Sequence, residues 1–347
     1  MKRAAGFSPA VLLAVREHLV KAKTAGLNPA ARLLAFCEQP GLHAYAIGVH
    51  AAFSYNSGVD PHTLDKLEFD AVRQILAEHA SCALGRGMAL RVEPTDRAEL
   101  VEQWHGQVAD LMDAAADRDL PPFGGVHDIR EAIRVAVPPH CLEPDDLAVV
   151  AETLEATHGI VAWTDGLRPS AGHLRTVCER IGDFKPLAGA IRQVIGPNGD
   201  VRDDASARLR RIRTEIGEAR INVGHVFDRL FRDRNLTRLL RYPQATFHED
   251  RLVLPLASEH RGRIPGIVHR SSDSGATLFV EPAAAVELNN RIISLKHDES
   301  TEIGRLLSHL THQLFLNQKQ ILETMDSLAV LDLITAKVRF ARAYQLV

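Results

Sequence analysis

The sequence predicts a mainly α-helical chain with a small antiparallel β subdomain, carried at the tip of two long antiparallel helices. Three observations lead there. Leu209, Ile212, Ile216, Ala219, Val223, Val226 and Leu230 are spaced 3, 4, 3, 4, 3, 4, three heptads of a seam that keeps one apolar stripe facing a partner helix. A second seam, Ile303, Leu307, Leu310 and Leu314, continues through Ile321, Met325 and Leu328, and no proline interrupts residues 283–347. Between the seams, residues 246–281 carry short apolar runs bounded by turn residues, the signature of strands.

In chain order, residues 1–62 read as an extension of unassigned role, with two or three short helices broken by Gly26, Pro29, Pro40, Gly41 and Gly58. Residues 63–200 read as a helical core domain. Its first helix starts at a Thr63 or Asp65 cap and runs to about Gly85, with Leu64, Leu67, Val72, Ile75 and Leu76 on one face. A second helix covers Asp96–Ala116, with Leu100, Val101, Trp104, Val108 and Leu111 on one side. After the breakers Pro121, Pro122, Gly124 and Gly125 come helices near Asp128–Val137, Glu143–Thr157 and Gly172–Ile181, with Pro144 in a first turn where its missing N–H is harmless. Gly196-Pro197-Asn198-Gly199 is a turn.

The first long helix falls within 201–245; over Asp203–Arg241 it would be ~58 Å long at 1.5 Å per residue. Gly217 and Gly224 weaken it by roughly 1 kcal/mol each relative to Ala, so packing has to hold it. The β tip spans 246–281: a strand at Arg251–Leu256 that Pro255 should push to an edge, a second at Ile264–His269, a turn at Ser271–Gly275 and a third strand at Thr277–Val280. The second long helix, 282–347, returns to the core.

Composition is that of a soluble globular protein, 46% hydrophobic and 24% charged, with a net charge of −3. The charge is unevenly placed. Residues 201–270 hold fifteen Arg, no Lys and nine Asp plus Glu, a surplus of +6 against −9 for the remainder. Two readings stay open, a polyanion-facing region and a solvated helix face. Four scattered cysteines (Cys37, Cys82, Cys141, Cys178) without a C-x-x-C pair fit a reducing, cytoplasmic setting. No run of 18 apolar residues offers a membrane span, and Arg16, Glu17 and His18 interrupt the only stretch resembling a signal peptide.

Catalytic and cofactor motifs are missing. There is no G-x-x-x-x-G-K-[ST] phosphate loop, and no Lys-Ser/Thr follows Gly196–Gly199. There is no H-E-x-x-H, and His248-Glu249-Asp250 reads as a polar turn rather than a metal site. Ser271–Gly275 lacks a G-x-S-x-G elbow. No catalytic residue, cofactor ligand or metal ligand is assigned, and the chain by itself is not expected to be an enzyme. The candidate site is basic: Arg251, Arg261, Arg263, His269 and Arg270, with His260 nearby. Guanidinium forks suit phosphate oxygens and fix position without reading sequence. Plain solvation, or pairing with Glu249 and Glu259, is the alternative for the same residues.

Several stretches carry a family resemblance: Thr63-Leu64-Asp65-Lys66-Leu67-Glu68-Phe69; Pro121-Pro122-Phe123-Gly124-Gly125 with Asp128-Ile129-Arg130; Asp204-Ala205-Ser206; Arg251-Leu252-Val253-Leu254-Pro255; and Arg261 to His269. Ser274 to Pro282 follows, with Glu287-Leu288-Asn289-Asn290, Leu331-Asp332, Ala336-Lys337 and Arg339-Phe340-Ala341. Over residues 63–343, in family order, the chain resembles the second bacterial branch of the MutS family (MutS type two), the anti-recombination branch. The resemblance implies helical core, two lever helices and a β-containing clamp between them. It implies a nucleic-acid-gripping role in suppressing recombination or in repair, with branched or duplex DNA, or the ribosome and its rRNA, as partner. Full-length relatives would be homodimeric ATPases using ATP and Mg, often with an endonuclease domain; both domains are expected to lie beyond Val347, making this chain a split or truncated form. Residues 1–62 match nothing in the family. The competing readings are a coiled-coil structural or dimerisation module without nucleic-acid binding, and a stand-alone hydrolase.

Overall fold

The computed structural model describes residues 61–346 and the backbone of the short strand at 47–48. The short helices expected within residues 1–60 lie outside the described residues. The elements run β1 (Ile47–Gly48), α1 (Pro61–Lys66), α2 (Phe69–Glu78), α3 (Ala83–Ala89), β2 (Glu93–Pro94), α4 (Ala98–Asp117), α5 (Arg130–Val135), α6 (Pro144–Asp165), α7 (Gly172–Cys178) and α8 (Lys185–Val194). Then come α9 (Ala207–Arg232), α10 (Arg234–Thr237), β3 (Thr246–His248), β4 (Arg251–Ala257), β5 (Gly266–Ser271), β6 (Thr277–Pro282), α11 (Ala283–Leu316) and α12 (Gln318–Tyr344). This is a mainly α fold with a small four-stranded antiparallel sheet and a two-residue antiparallel pairing of β1 with β2. No described helix is long and apolar enough to cross a membrane. The chain divides into two compact units, one comprising residues up to Leu142, 146–191 and 312–347, the other 143–145 and 192–311.

In the first unit α12 is the centre. Ile321, Met325, Leu328, Leu331, Ile334 and Val338 are all buried, so apolar residues surround the helix, as a core position requires. It packs against α2, α3, α4, α5 and α7. The single helix expected from Thr63 to Gly85 is instead three. Glu68 adopts a left-handed φ of 53° ahead of α2. After α2 the chain leaves the helix so that the amides of Ser81 and Cys82 can donate to the Asp332 carboxylate on α12, at 2.9 Å each. In the other direction, α6 runs past the expected end at Thr157 because Ile160 and Trp163 are buried and hold the extra turns. Helix α8 was not anticipated.

In the second unit the heptad seam forms as read. Leu209, Ile212, Ile216, Ala219, Val223 and Val226 are buried, with Leu230 partly so. Ile212 and Ile216 meet Leu295 of α11. Further along, Ala219, Val223 and Val226 join Ala285 and Ile292 of α11 with Leu254, Leu256, Leu278 and Val280 of the sheet. Polar pairs fix the direction. Ser206 reaches Glu302 at 2.8 Å, Arg213 reaches Glu299 at 2.8 Å, and Glu215 receives Arg291 at 2.5 Å. Ascending numbers face descending ones, so α9 and α11 are antiparallel. Helix α9 is shorter than expected, ~39 Å for its residues. It begins only after Ser206, whose side chain caps it by accepting from the Leu209 amide at 3.0 Å, and Asp233 ends it in extended backbone.

The sheet order is β3-β4-β6-β5, all neighbours antiparallel. This corrects the expected edge position of Pro255: β4 is an inner strand. Proline is tolerated because its carbonyl, and with it the position of the missing N–H, faces away from β6 and past the end of β3 at Thr246; the Arg241 amide donates to the Pro255 carbonyl at 2.8 Å. The strand expected at 264–269 shifts by two residues to 266–271, and the one expected at 277–280 extends by two, to 282.

Glu302 secures the start of α9. It is buried, accepts from Ser206 at 2.8 Å and from Arg305 at 2.8 and 3.0 Å, and faces Arg208. The Arg305 hydrogen bonds outweigh the opposing effect of burial and pull its carboxyl from an ordinary 4.5 to about 2. A folded-state value below the unfolded one stabilises above pH ~4.5 and is lost as pH falls towards 2. The expected loss is roughly 2–3 kcal/mol. Urea midpoints measured from pH 6 downwards should show it, and Glu302→Gln should flatten that part of the profile. An unaltered profile in the variant would contradict the assignment.

Candidate nucleic-acid interface

Glu281, at the end of β6, is completely buried. Arg251 donates to both its oxygens, at 2.9 and 3.1 Å, the His269 Nε2 lies 2.6 Å away, and Asn289 of α11 donates at 2.7 Å. The other Arg251 nitrogen reaches Asn290 at 2.8 Å. The sheet register explains this cluster. Leu254 pairs with Val280, so Leu252 falls opposite Pro282, which has no N–H to offer. The Asn289 side-chain amide takes the vacant strand position, donating to the Leu252 carbonyl at 3.1 Å and accepting from its N–H at 3.3 Å. A β-bulge between Val268 and Arg270 leaves His269 as the extra residue and turns it onto Glu281. Burial alone would raise the Glu281 carboxyl; hydrogen bonds from Asn289, His269 and Arg251 overcome it and hold the group below the ordinary carboxylate range.

Two candidate phosphate ligands, Arg251 and His269, therefore have their polar atoms committed inward to a carboxylate. His269 also stacks on His248, ring centroids 6.1 Å apart. No cluster of three or more His, Cys, Asp or Glu suited to a metal ion occurs among the described residues. Arg270 is exposed and tied to Asp273 at 3.0 Å, a solvated i,i+3 pair of little strength. Arg261 and Arg263 are different. Both are exposed, in the loop after the 3₁₀ turn Ser258–His260, and neither has an ion pair among the described residues. Glu259, their acidic neighbour, lies 3.9 Å from His260.

Sequence reasoning missed a second set. Arg229, Arg232, Arg234, Arg238 and Arg241 are exposed and make no ion pair among the described residues. Leu240 bridges to Leu256, and the Ala257 amide donates to Leu239 at 3.0 Å, so this segment lies along β4 and close to the turn that leads to Arg261. In the N-terminal half of α9 and just before it most arginines are paired instead: Arg202 with Asp204, Arg208 with Glu302, Arg211 with Glu215, and Arg213 with Asp203 and Glu299, whereas Arg210 has no ion pair among the described residues. The +6 surplus of residues 201–270 was the signal. It could not separate paired from unpaired charge.

Fold and site together define a helical arm: two antiparallel helices bearing a small sheet whose outer surface carries arginines without counter-charges. No family model matches the chain. It is 34% identical over 281 residues to Endonuclease MutS2 of Geobacillus sp. (strain WCH70), covering 80% of this chain and 36% of that protein. It is 34% identical over 289 residues to Endonuclease MutS2 of Shouchella clausii, and 32% over 288 residues to that of Acetivibrio thermocellus, again covering 36% of each relative. The chain belongs to the MutS2 family, and what it matches is little more than a third of the length of these relatives.

Proposed function

We propose that this chain grips DNA through its sugar-phosphate backbone, as the lever-and-clamp part of a MutS2-type protein acting in recombination or repair. The observation that carries the reading is the set of exposed, unpaired arginines at the sheet end of the second unit, beside a stretch where most of the arginines are paired. A structural ion-pair surface would not leave one end uncompensated. The rival reading, a helix that pairs with another chain through its heptads, is disfavoured because α11 and the sheet already fill the α9 seam. The Gly196–Gly199 turn is not followed by the Lys-Ser/Thr that a phosphate loop needs, so ATP and Mg are not proposed as ligands of this turn.

Binding should fall steeply with salt, because neutralising phosphates releases counterions. The double variant Arg261→Ala/Arg263→Ala should bind duplex and branched DNA roughly tenfold more weakly, irrespective of sequence, with the log–log salt slope reduced by about 2. Gel shifts over a salt series read both. Unchanged affinity would remove the Arg261–Arg263 loop from the interface, and no binding by the wild type even at low salt would defeat the proposal. Competition with ribosomal RNA tests the other polyanion: displacement of DNA only at large excess of RNA supports DNA as the partner.

A further inference from the structure

The arginine-bearing margin of the sheet also carries two aromatic rings that contribute little to the core. Phe247 is 74% exposed, the most exposed of the large hydrophobic residues described, and Tyr242 is 42% exposed. Both belong to the interrupted strand running beside β4. Leu240 is held opposite Leu256, Thr246 opposite Val253 and Phe247 opposite Leu252. Arg238, Arg241, Tyr242 and Phe247 therefore follow one another along a single outer margin. A lone exposed apolar side chain is ordinary. Two exposed aromatics beside arginines that lack counter-charges, in a chain with only 5% aromatic residues, are not.

We infer that this margin is a stacking platform for the unpaired bases of a single-stranded DNA segment, with Phe247 and Tyr242 taking bases and Arg238 and Arg241 their phosphates. The inference rests on the DNA-binding reading above and sharpens it. In a duplex the base faces are already stacked, so exposed rings gain little; in a single strand each base face is free, and one aromatic contact changes affinity by about 5- to 150-fold. The margin would then direct the arm to forks, flaps or displaced strands rather than to uniform duplex.

The experiment compares the full chain with Phe247→Ala on fluorescently labelled oligothymidylate and on a blunt duplex, by anisotropy at fixed low salt. The variant should bind oligothymidylate about tenfold more weakly and the duplex as tightly as wild type does. Phe247→Trp should retain binding, and its indole fluorescence should be quenched by oligothymidylate and not by the duplex. Equal loss on both ligands, no loss on either, or an unquenched indole would overturn the inference. So would a loss seen only with oligouridylate, which would point to RNA. Wild-type binding to duplex but not to oligothymidylate would sink this inference alone; binding to neither would sink the DNA-gripping reading with it. Phe247 is too exposed for its replacement to unfold the sheet.

Discussion

Replacing Glu281 with Ala is expected to destabilise the second unit by about 3–5 kcal/mol, the usual cost of removing one partner from a buried ion pair. The carboxylate is completely buried, and four donor contacts converge on it: two from Arg251 and one each from His269 and Asn289. Without it a guanidinium stays partly buried without a counter-charge, and Asn289 loses one of the groups that hold it in the strand gap opposite Pro282. The effect should appear as a lower urea midpoint at unchanged slope. The double replacement Glu281→Leu/Arg251→Met should recover much of the loss, because a buried pair exchanged for apolar groups of similar size is often neutral. A single-variant loss under about 1 kcal/mol would mean that water reaches the cluster and that Arg251 is available to phosphate after all.

The second large effect is expected at Asp332. Its carboxylate is buried and accepts from the Ser81 and Cys82 amides at 2.9 Å and from the Cys82 thiol at 3.1 Å. It holds the break between α2 and α3 against α12. Asp332→Ala strips two buried amides of their acceptor and leaves a cavity, for about 2–4 kcal/mol in all. Gly85 should behave alike: a Cβ there would collide with the Asp332 carboxylate, so Gly85→Ala must displace it. A chemical readout separates this contact from general loosening. Burial and the charge of Asp332 push the Cys82 thiol up to about 12, which keeps it unreactive. Asp332→Asn, of nearly the same shape, should speed alkylation of Cys82 at pH 8 while buried Cys178 stays slow. Equal rates in wild type and variant would show that the carboxylate does not govern the thiol.

These two sites mark the limit of what could be read in advance. The seam from Leu209 to Val226 announced a helix pressed against a partner because periodicity records burial, and burial repeats along the chain whatever the partner is. The strands read at 251–256 and 277–280 were legible for the same reason, and the motif stretches pointed to the family that the comparisons then supported. The break between α2 and α3 was not legible, because its cause lies 251 positions away in Asp332. Nor was the inward commitment of Arg251, settled by Glu281 thirty residues later and by a bulge that turns His269.

The sequence by itself determined a mainly helical chain, that two apolar helical seams flank a small sheet, and that arginine is concentrated around that sheet. Only the tertiary structure decided which of those arginines are neutralised and which face solvent, and that Phe247 and Tyr242 share the margin with the latter. The reason is physical: an apolar stripe follows from the local helical or strand repeat, whereas the fate of a charge depends on which distant carboxylate the fold brings within hydrogen-bonding reach.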